Sequence, residues 1–221
     1  MREEIKSKMV EKEINGTIED PRLKAITSSI RVVPDFPKPG IMFNDITTLL
    51  LQPKVFKDVI DMFVERYKGM RIHAVAGIEA RGFIFGPPVA LAIEAKFIPL
   101  RKPKKLPGEV ISEKYVLEYG KDCLEMHVGA LEAHERVLII DDFVATGGTL
   151  SAAIRLIERA GGEVVECACL LGLPKFKVRT SPLFQKISLI YIRYHYPLEL
   201  NNFQNVVLIN CRSPASLMAS Q

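Results

Sequence analysis

One stretch limits the possible folds more than any other: VLIIDDFVATGGTL, residues 137–150. Its first residues are apolar and do not alternate with polar ones, the pattern of an inner strand of a parallel sheet. Such a strand delivers its last residues to the carboxyl edge of the sheet. Here these are two adjacent acids, Asp141 and Asp142, followed by a turn with two glycines and two threonines before the next helical period begins.

The rest of the chain repeats this order. Residues 74–77 read as a strand, Glu79, Ala80 and Arg81 as a polar turn, and the following apolar segment as a helix. KFIPLRK is a short strand, and TLSAAIRLIERAGG is a helix closed by Gly161 and Gly162 and followed by the strand EVVECACLLGL. KVFKDVIDMFVERYK places Val55, Phe56, Val59, Ile60, Phe63 and Val64 on one stripe, a helix stopped by Gly69. An earlier helix starts at Asp20 and Pro21, a capping residue followed by proline at the first helical position. VVPDFPKPGIMF is too rich in proline for regular structure, and residues 103–125 read as a hairpin or hood. Strands alternating with helices predict an α/β fold: a parallel, doubly wound central sheet with flanking helices and a small hood or flexible loop.

At 221 residues the chain accommodates one such domain. It is expected over residues 20–177, after a helical extension (1–19) in which Met1, Ile5, Met9 and Val10 fall at helical spacing, and before an atypical tail (178–221). Charge excludes more than it identifies. The formal charge of +4 is mild, and the basic residues concentrate in RKPKKLPG, which suits a small polyanion better than a duplex. Without Trp there is no stacking platform for single strands, so no nucleic-acid partner is expected. No stretch approaches a membrane span, and the first residues carry no signal-peptide core, so a cytoplasmic protein is expected. The four cysteines lack CxxC pairs and read as buried thiols of a reducing compartment. The four histidines show no metal-ligand spacing, and Lys38, Arg66 and Lys68 read as solvated.

Ligands of such sheets bind outside the carboxyl ends of the strands. Three loops emerge there: residues 79–82, Arg101 with Lys102, and residues 141–149. Gly147 and Gly148 let backbone N–H groups turn inward, Thr146 and Thr149 add hydroxyl donors, and the next helix points its positive end at the same spot. That is a cup for a phosphate monoester. No lysine follows the glycines as in a Walker loop, and no GxGxxG accompanies them. Asp141 and Asp142 would repel the phosphate and so fit neighbouring hydroxyls, as in a ribose, with or without Mg²⁺.

VLIIDDFVATGGT resembles the phosphoribosyl pyrophosphate signature of the type I phosphoribosyltransferases. PDFPKPGIMFNDIT, GIEARGFIFGPPVA, RKPKKLPG and LEYG, in family order over residues 20–177, narrow the resemblance to the adenine phosphoribosyltransferase family. The resemblance implies transfer of a 5-phosphoribosyl group from phosphoribosyl pyrophosphate to adenine, giving AMP and pyrophosphate. It also implies Mg²⁺ held mainly through the donor, and a homodimer. By motif, Ala145, Thr146, Gly147, Gly148 and Thr149 would hold the 5-phosphate, and Asp141 and Asp142 the ribose hydroxyls. Arg81, beside a family-typical strained peptide at Glu79 and Ala80, would meet pyrophosphate with Arg101, Lys102 and Lys105. Glu118 would be the acid/base group and Tyr119 would help close the site. Phe43 and Phe143 are expected on either side of the base, with backbone near Met42 and Asn44 reading its amino edge. Asn44 departs from the longer side chain of relatives.

Two other readings stay open at this point. One is a non-catalytic sensor that keeps the phosphate cup, although LEYG and MFNDI are both present and no DNA-binding pattern precedes the domain. The other is the same chemistry on another purine or a substituted adenine. From Val178 onward the chain departs from the family's ending. Lys177, Val178 and Arg179 are encodable as a splice donor, which leads to the expectation of a retained intron. KISLIYIRY alternates well enough to supply a last strand.

Overall fold

The computed structural model describes residues 20–117, 120–144 and 147–172, together with the backbone of 187–189. The chain divides into two compact units, residues 1–58 and 59–221.

In the first unit α1 (Pro21–Ser29) starts as expected: the Asp20 carboxylate accepts from Arg22 N at 2.9 Å, and proline follows the cap. Strands β1 (Arg31–Pro34) and β2 (Met42–Asp45) pair antiparallel. This corrects the reading of the proline-rich segment as wholly irregular. Pro34 and Pro37 break the pattern, but Val32, Val33, Met42 and Phe43 are good strand formers, and the ladder uses them around an irregular bend. Asp45 ties the ladder to α2 (Thr47–Leu50), accepting from Arg31 Nη2 at 2.5 Å and from Thr47 N at 2.9 Å. Helix α3 (Pro53–Tyr67) follows and runs into the second unit.

The second unit is built on a five-stranded parallel sheet in the order β4 (Lys96–Leu100), β3 (Ala74–Ile78), β7 (Arg136–Val144), β8 (Glu163–Gly172), β9 (Ile187–Leu189). Every residue of β3 is buried, as its unbroken apolar run requires. One set of side chains, including Ala76, Ile139 and Cys167, packs with Leu150, Ile154 and Ile157 of α5 (Gly148–Arg159). Helix α4 (Gly82–Ala92) contacts β3, β4 and β7, and its Phe85 meets Phe63 of α3 at 6.2 Å between ring centroids. The hood is an antiparallel hairpin of β5 (Val110–Leu117) and β6 (Gly120–His127), and its Leu124 and Met126 are fully buried.

One expectation needs amendment. Arg66 is not a solvated cation: its guanidinium donates to both carboxylate oxygens of Glu166 on β8, at 3.0 and 2.6 Å. Within the tail, Ile187–Leu189 form β9 beside Cys167, Ala168 and Cys169; the extension 1–19 and the rest of the tail lie outside the described residues. Among the described residues no helix is long and apolar enough to cross a membrane.

Candidate active site

β3 and β7 are neighbours and end together, so the loops that follow them open on one cleft at the carboxyl edge. It measures about 280 Å³ and is lined by residues 78–81, Lys102, residues 141–144 and residues 147–150. Gly82 explains how the loops come so close: a Cβ there would meet the Ile140 carbonyl oxygen at 2.5 Å, so only glycine lets α4 start against the end of β7.

On one side of the cleft, α5 begins. Gly147 has φ +76°, the left-handed region, and no side chain caps the helix. The first N–H groups of a helix have no partners within it, and here nothing from the chain's own cap occupies them. With the positive end of a 12-residue helix behind them, they are suited to an anion. Gly147, Gly148 and Thr149 line the cleft; Ala145 and Thr146 lie outside the described residues.

Opposite, Asp141 and Asp142 end the buried part of β7. Burial and the adjacent Asp142 charge push the Asp141 carboxyl well above the usual carboxylate range. Its Oδ1 accepts from Asp142 N at 2.9 Å. Asp142 is buried, and its Oδ2 accepts from Arg81 Nε at 2.5 Å.

The remaining cations are paired too. Glu79 accepts from Lys102 N at 2.8 Å and from Arg101 Nε and Nη2 at 3.2 and 3.3 Å. The Lys102 N–H holds the Glu79 carboxyl below its ordinary range against the opposing effect of burial, with Arg101 assisting. Lys102 Nζ donates to Tyr115 Oη and to Asp122 Oδ2. Arg81 and Lys102 thus reach the cleft, and Arg101 stands behind them on Glu79. The exposed Lys105 contributes only its carbonyl, to Arg101 Nη1 at 3.1 Å. The Glu79–Ala80 peptide is cis.

Phe143 lines the cleft, whereas Phe43, Met42 and Asn44 belong to β2 of the other unit, where Phe43 meets Phe36 edge-on at 5.1 Å. The Asn44 side-chain oxygen is buried with no donor among the described residues. Glu118 and Tyr119 lie outside the described residues, between β5 and β6. Asp122 and Tyr115 escaped the sequence reading. A hairpin register pairing Leu117 with Gly120 would have disclosed them, because it sets Tyr115 opposite Asp122 in the ladder.

An open helix start, an acid pair and carboxylate-held cations at one sheet edge define an α/β protein built to hold a sugar phosphate. The family profile described as "Phosphoribosyl transferase domain" matches residues 45–185. Adenine phosphoribosyltransferase 2 of Arabidopsis thaliana is 73% identical over 163 residues, covering 74% of this chain and 85% of the relative. The crystal structure of the adenine phosphoribosyltransferase of Rhodothermus marinus superposes with a TM-score of 0.71 at 46% identity, over 77% of this chain and 97% of that one. The Trypanosoma brucei adenine phosphoribosyl transferase, in complex with AMP, pyrophosphate and ribose-5-phosphate, gives a TM-score of 0.65 at 32% identity, over 71% and 70%. The chain belongs to the phosphoribosyltransferase family, in its adenine phosphoribosyltransferase branch.

Proposed function

We propose that this chain transfers the 5-phosphoribosyl group of phosphoribosyl pyrophosphate to adenine, releasing pyrophosphate and forming AMP for purine salvage. The observation that carries this is the uncapped start of α5, opening at left-handed Gly147 into the cleft that also holds the acid pair, Arg81 and Lys102. A phosphate on those N–H groups sets the sugar beside Asp141 and Asp142, whose oxygens accept from its vicinal hydroxyls.

The diphosphate arm then falls to Arg81, Lys102 and Arg101. It offers Arg81 an acceptor in competition with Asp142, which releases that carboxylate toward the ribose. Breaking the bond from C1 to pyrophosphate leaves positive charge on the sugar and negative charge on the departing oxygen, so fixed cations at the leaving group lower the barrier. The acids do not build a protein-held metal site: Asp142 is bound to Arg81, and Asp141 is driven toward its neutral form. Mg²⁺, carried by the donor as part of the substrate, would supply further charge neutralisation at the leaving group.

Phe143 offers a ring for the base, and Phe43 is proposed, by motif alone, as a further base contact. The backbone near Met42 and Asn44 is proposed, by motif alone, to read adenine's amino edge. Glu118 is proposed to take the proton that adenine gives up as the new bond forms, and Tyr119 to shield the cleft from water. The active form is proposed to be a homodimer in the cytoplasm, a compartment that suits the free thiols of Cys123, Cys167 and Cys169.

The test is pyrophosphate release from phosphoribosyl pyrophosphate and Mg²⁺ with a panel of purines. Adenine is expected to support turnover, and hypoxanthine, guanine and xanthine are not. Donor binding without turnover on any base would make the chain a sensor instead.

A further inference from the structure

We infer that Asp122 and Tyr115 of the hood are positioning residues for the leaving group, holding the Lys102 ammonium at the edge of the cleft. The inference rests on the proposed role of Lys102 toward pyrophosphate and assigns the hood a part in it.

Lys102 leaves the end of β4 with its backbone N–H fixed by Glu79 at 2.8 Å. Its Nζ then meets two hood side chains that face each other across the ladder, Tyr115 on β5 and Asp122 on β6. It donates to the Tyr115 hydroxyl at 3.0 Å and to Asp122 Oδ2, which also accepts from Tyr115 Oη at 3.2 Å. Asp122 is itself held, since its Oδ1 accepts from Cys123 N at 2.8 Å, and Tyr115 is only 5% exposed. Nζ also lies 5.6 Å from the Tyr115 ring centroid.

An ammonium has three donors. Two are taken by groups anchored in the hood, which leaves one. Lys102 lines the cleft, whereas neither Asp122 nor Tyr115 is among the residues that do. The ion pair is therefore a dipole with its positive end toward the ligand. A solvated lysine must freeze four rotatable bonds to meet a phosphate, and this one is already held. The opposite sign is conceivable on charge alone, because removing a carboxylate raises the local positive potential. Fixation outweighs that here: Asp122 does not line the cleft and is already paired with Lys102.

The full-length chain with Mg²⁺ separates these cases through the Kd of pyrophosphate and the KM values of phosphoribosyl pyrophosphate and adenine. Asp122→Asn keeps an acceptor and loses the charge. It is expected to weaken pyrophosphate and raise the donor KM roughly tenfold, the size of one long side chain left to be ordered on binding, with the adenine KM unchanged. Added to Lys102→Met, the same substitution is expected to do nothing further. Tyr115→Phe, which keeps the packed ring, is expected to act in the same direction by about threefold and serves if Asp122→Asn does not fold. Tighter or unchanged pyrophosphate binding in Asp122→Asn, or an equal loss with and without Lys102, overturns the inference while Lys102 keeps its role. Wild-type pyrophosphate affinity in Lys102→Met removes that role and the inference with it.

Discussion

Asp141 is a carboxylate kept where folding alone would not keep one. Burial and the adjacent Asp142 charge raise its pKa above the ordinary 3.8. The sign of the consequence follows from proton counting. As pH rises from 3.8, the unfolded chain gives up this proton while the folded chain retains it, so stability falls until pH passes the raised folded value. Asp141→Asn removes that loss. Thermal unfolding of the variant is expected to show a higher Tm than wild type at pH 7 and a smaller gap near pH 3.5, while the donor KM rises because a ribose hydroxyl loses one of the two carboxyl oxygens available to accept from it. A variant no more stable than wild type at pH 7 would refute this. Such sites are legible in sequence because the acids, the glycines and the helix start sit within a few residues of each other. The partners of the cations are not: Glu79 lies 22 residues from Arg101, and Asp122 lies 20 from Lys102, distances at which only the folded chain selects a pair.

At the scale of elements, α5 serves the site at both ends. Its start is the proposed anion cup, and one face of its later turns holds the hood. Arg155 Nε and Arg159 Nη1, one helical turn apart, donate to the two carboxylate oxygens of Glu113 on β5 at 2.7 and 2.6 Å, and Arg159 Nη1 also donates to the Ser112 carbonyl at 2.9 Å. Glu113 is mostly buried, whereas the two arginines are largely exposed, so the global stability at stake is small, about 1 kcal/mol or less. The local effect is larger. Glu113→Gln is expected to speed amide hydrogen exchange across residues 110–117 and 120–127 and to leave β7 protected, and equal protection in both forms would show that apolar packing alone holds the hairpin. Elements with unbroken apolar runs, such as β3, β7 and β8, were readable one by one, because burial on both faces leaves a composition that little else shares. The β1–β2 ladder was not, since prolines mask short strands whose pairing is decided by the partner. Arg66 was misjudged for a related reason: a helix stripe says which face is apolar, not that Glu166 waits opposite one of its edges.

For the whole chain, every described cleft residue precedes Gly172, yet the sheet continues to β9. Parallel strands depend on burial at both faces and on pairing at each side, and β8 is fully buried at Cys167, Ala168 and Cys169, where β9 pairs with it. Without β9 those residues become part of an unpaired edge carrying apolar side chains, the kind of edge that recruits other chains. A chain ending at Gly172 is therefore expected to lower Tm by several degrees and to aggregate with rising concentration in light scattering, while its freshly prepared soluble fraction still binds phosphoribosyl pyrophosphate. Substituting Ser188 by proline in the full chain isolates the strand from the rest of the tail, because proline disfavours strand pairing at the residue opposite Ala168 without shortening the protein. If that substitution reproduces the aggregation, the three paired residues are what the sheet needs from the tail. If both altered chains stay monodisperse at the wild-type Tm, β8 tolerates its outer edge unaided and the tail contributes nothing to the fold.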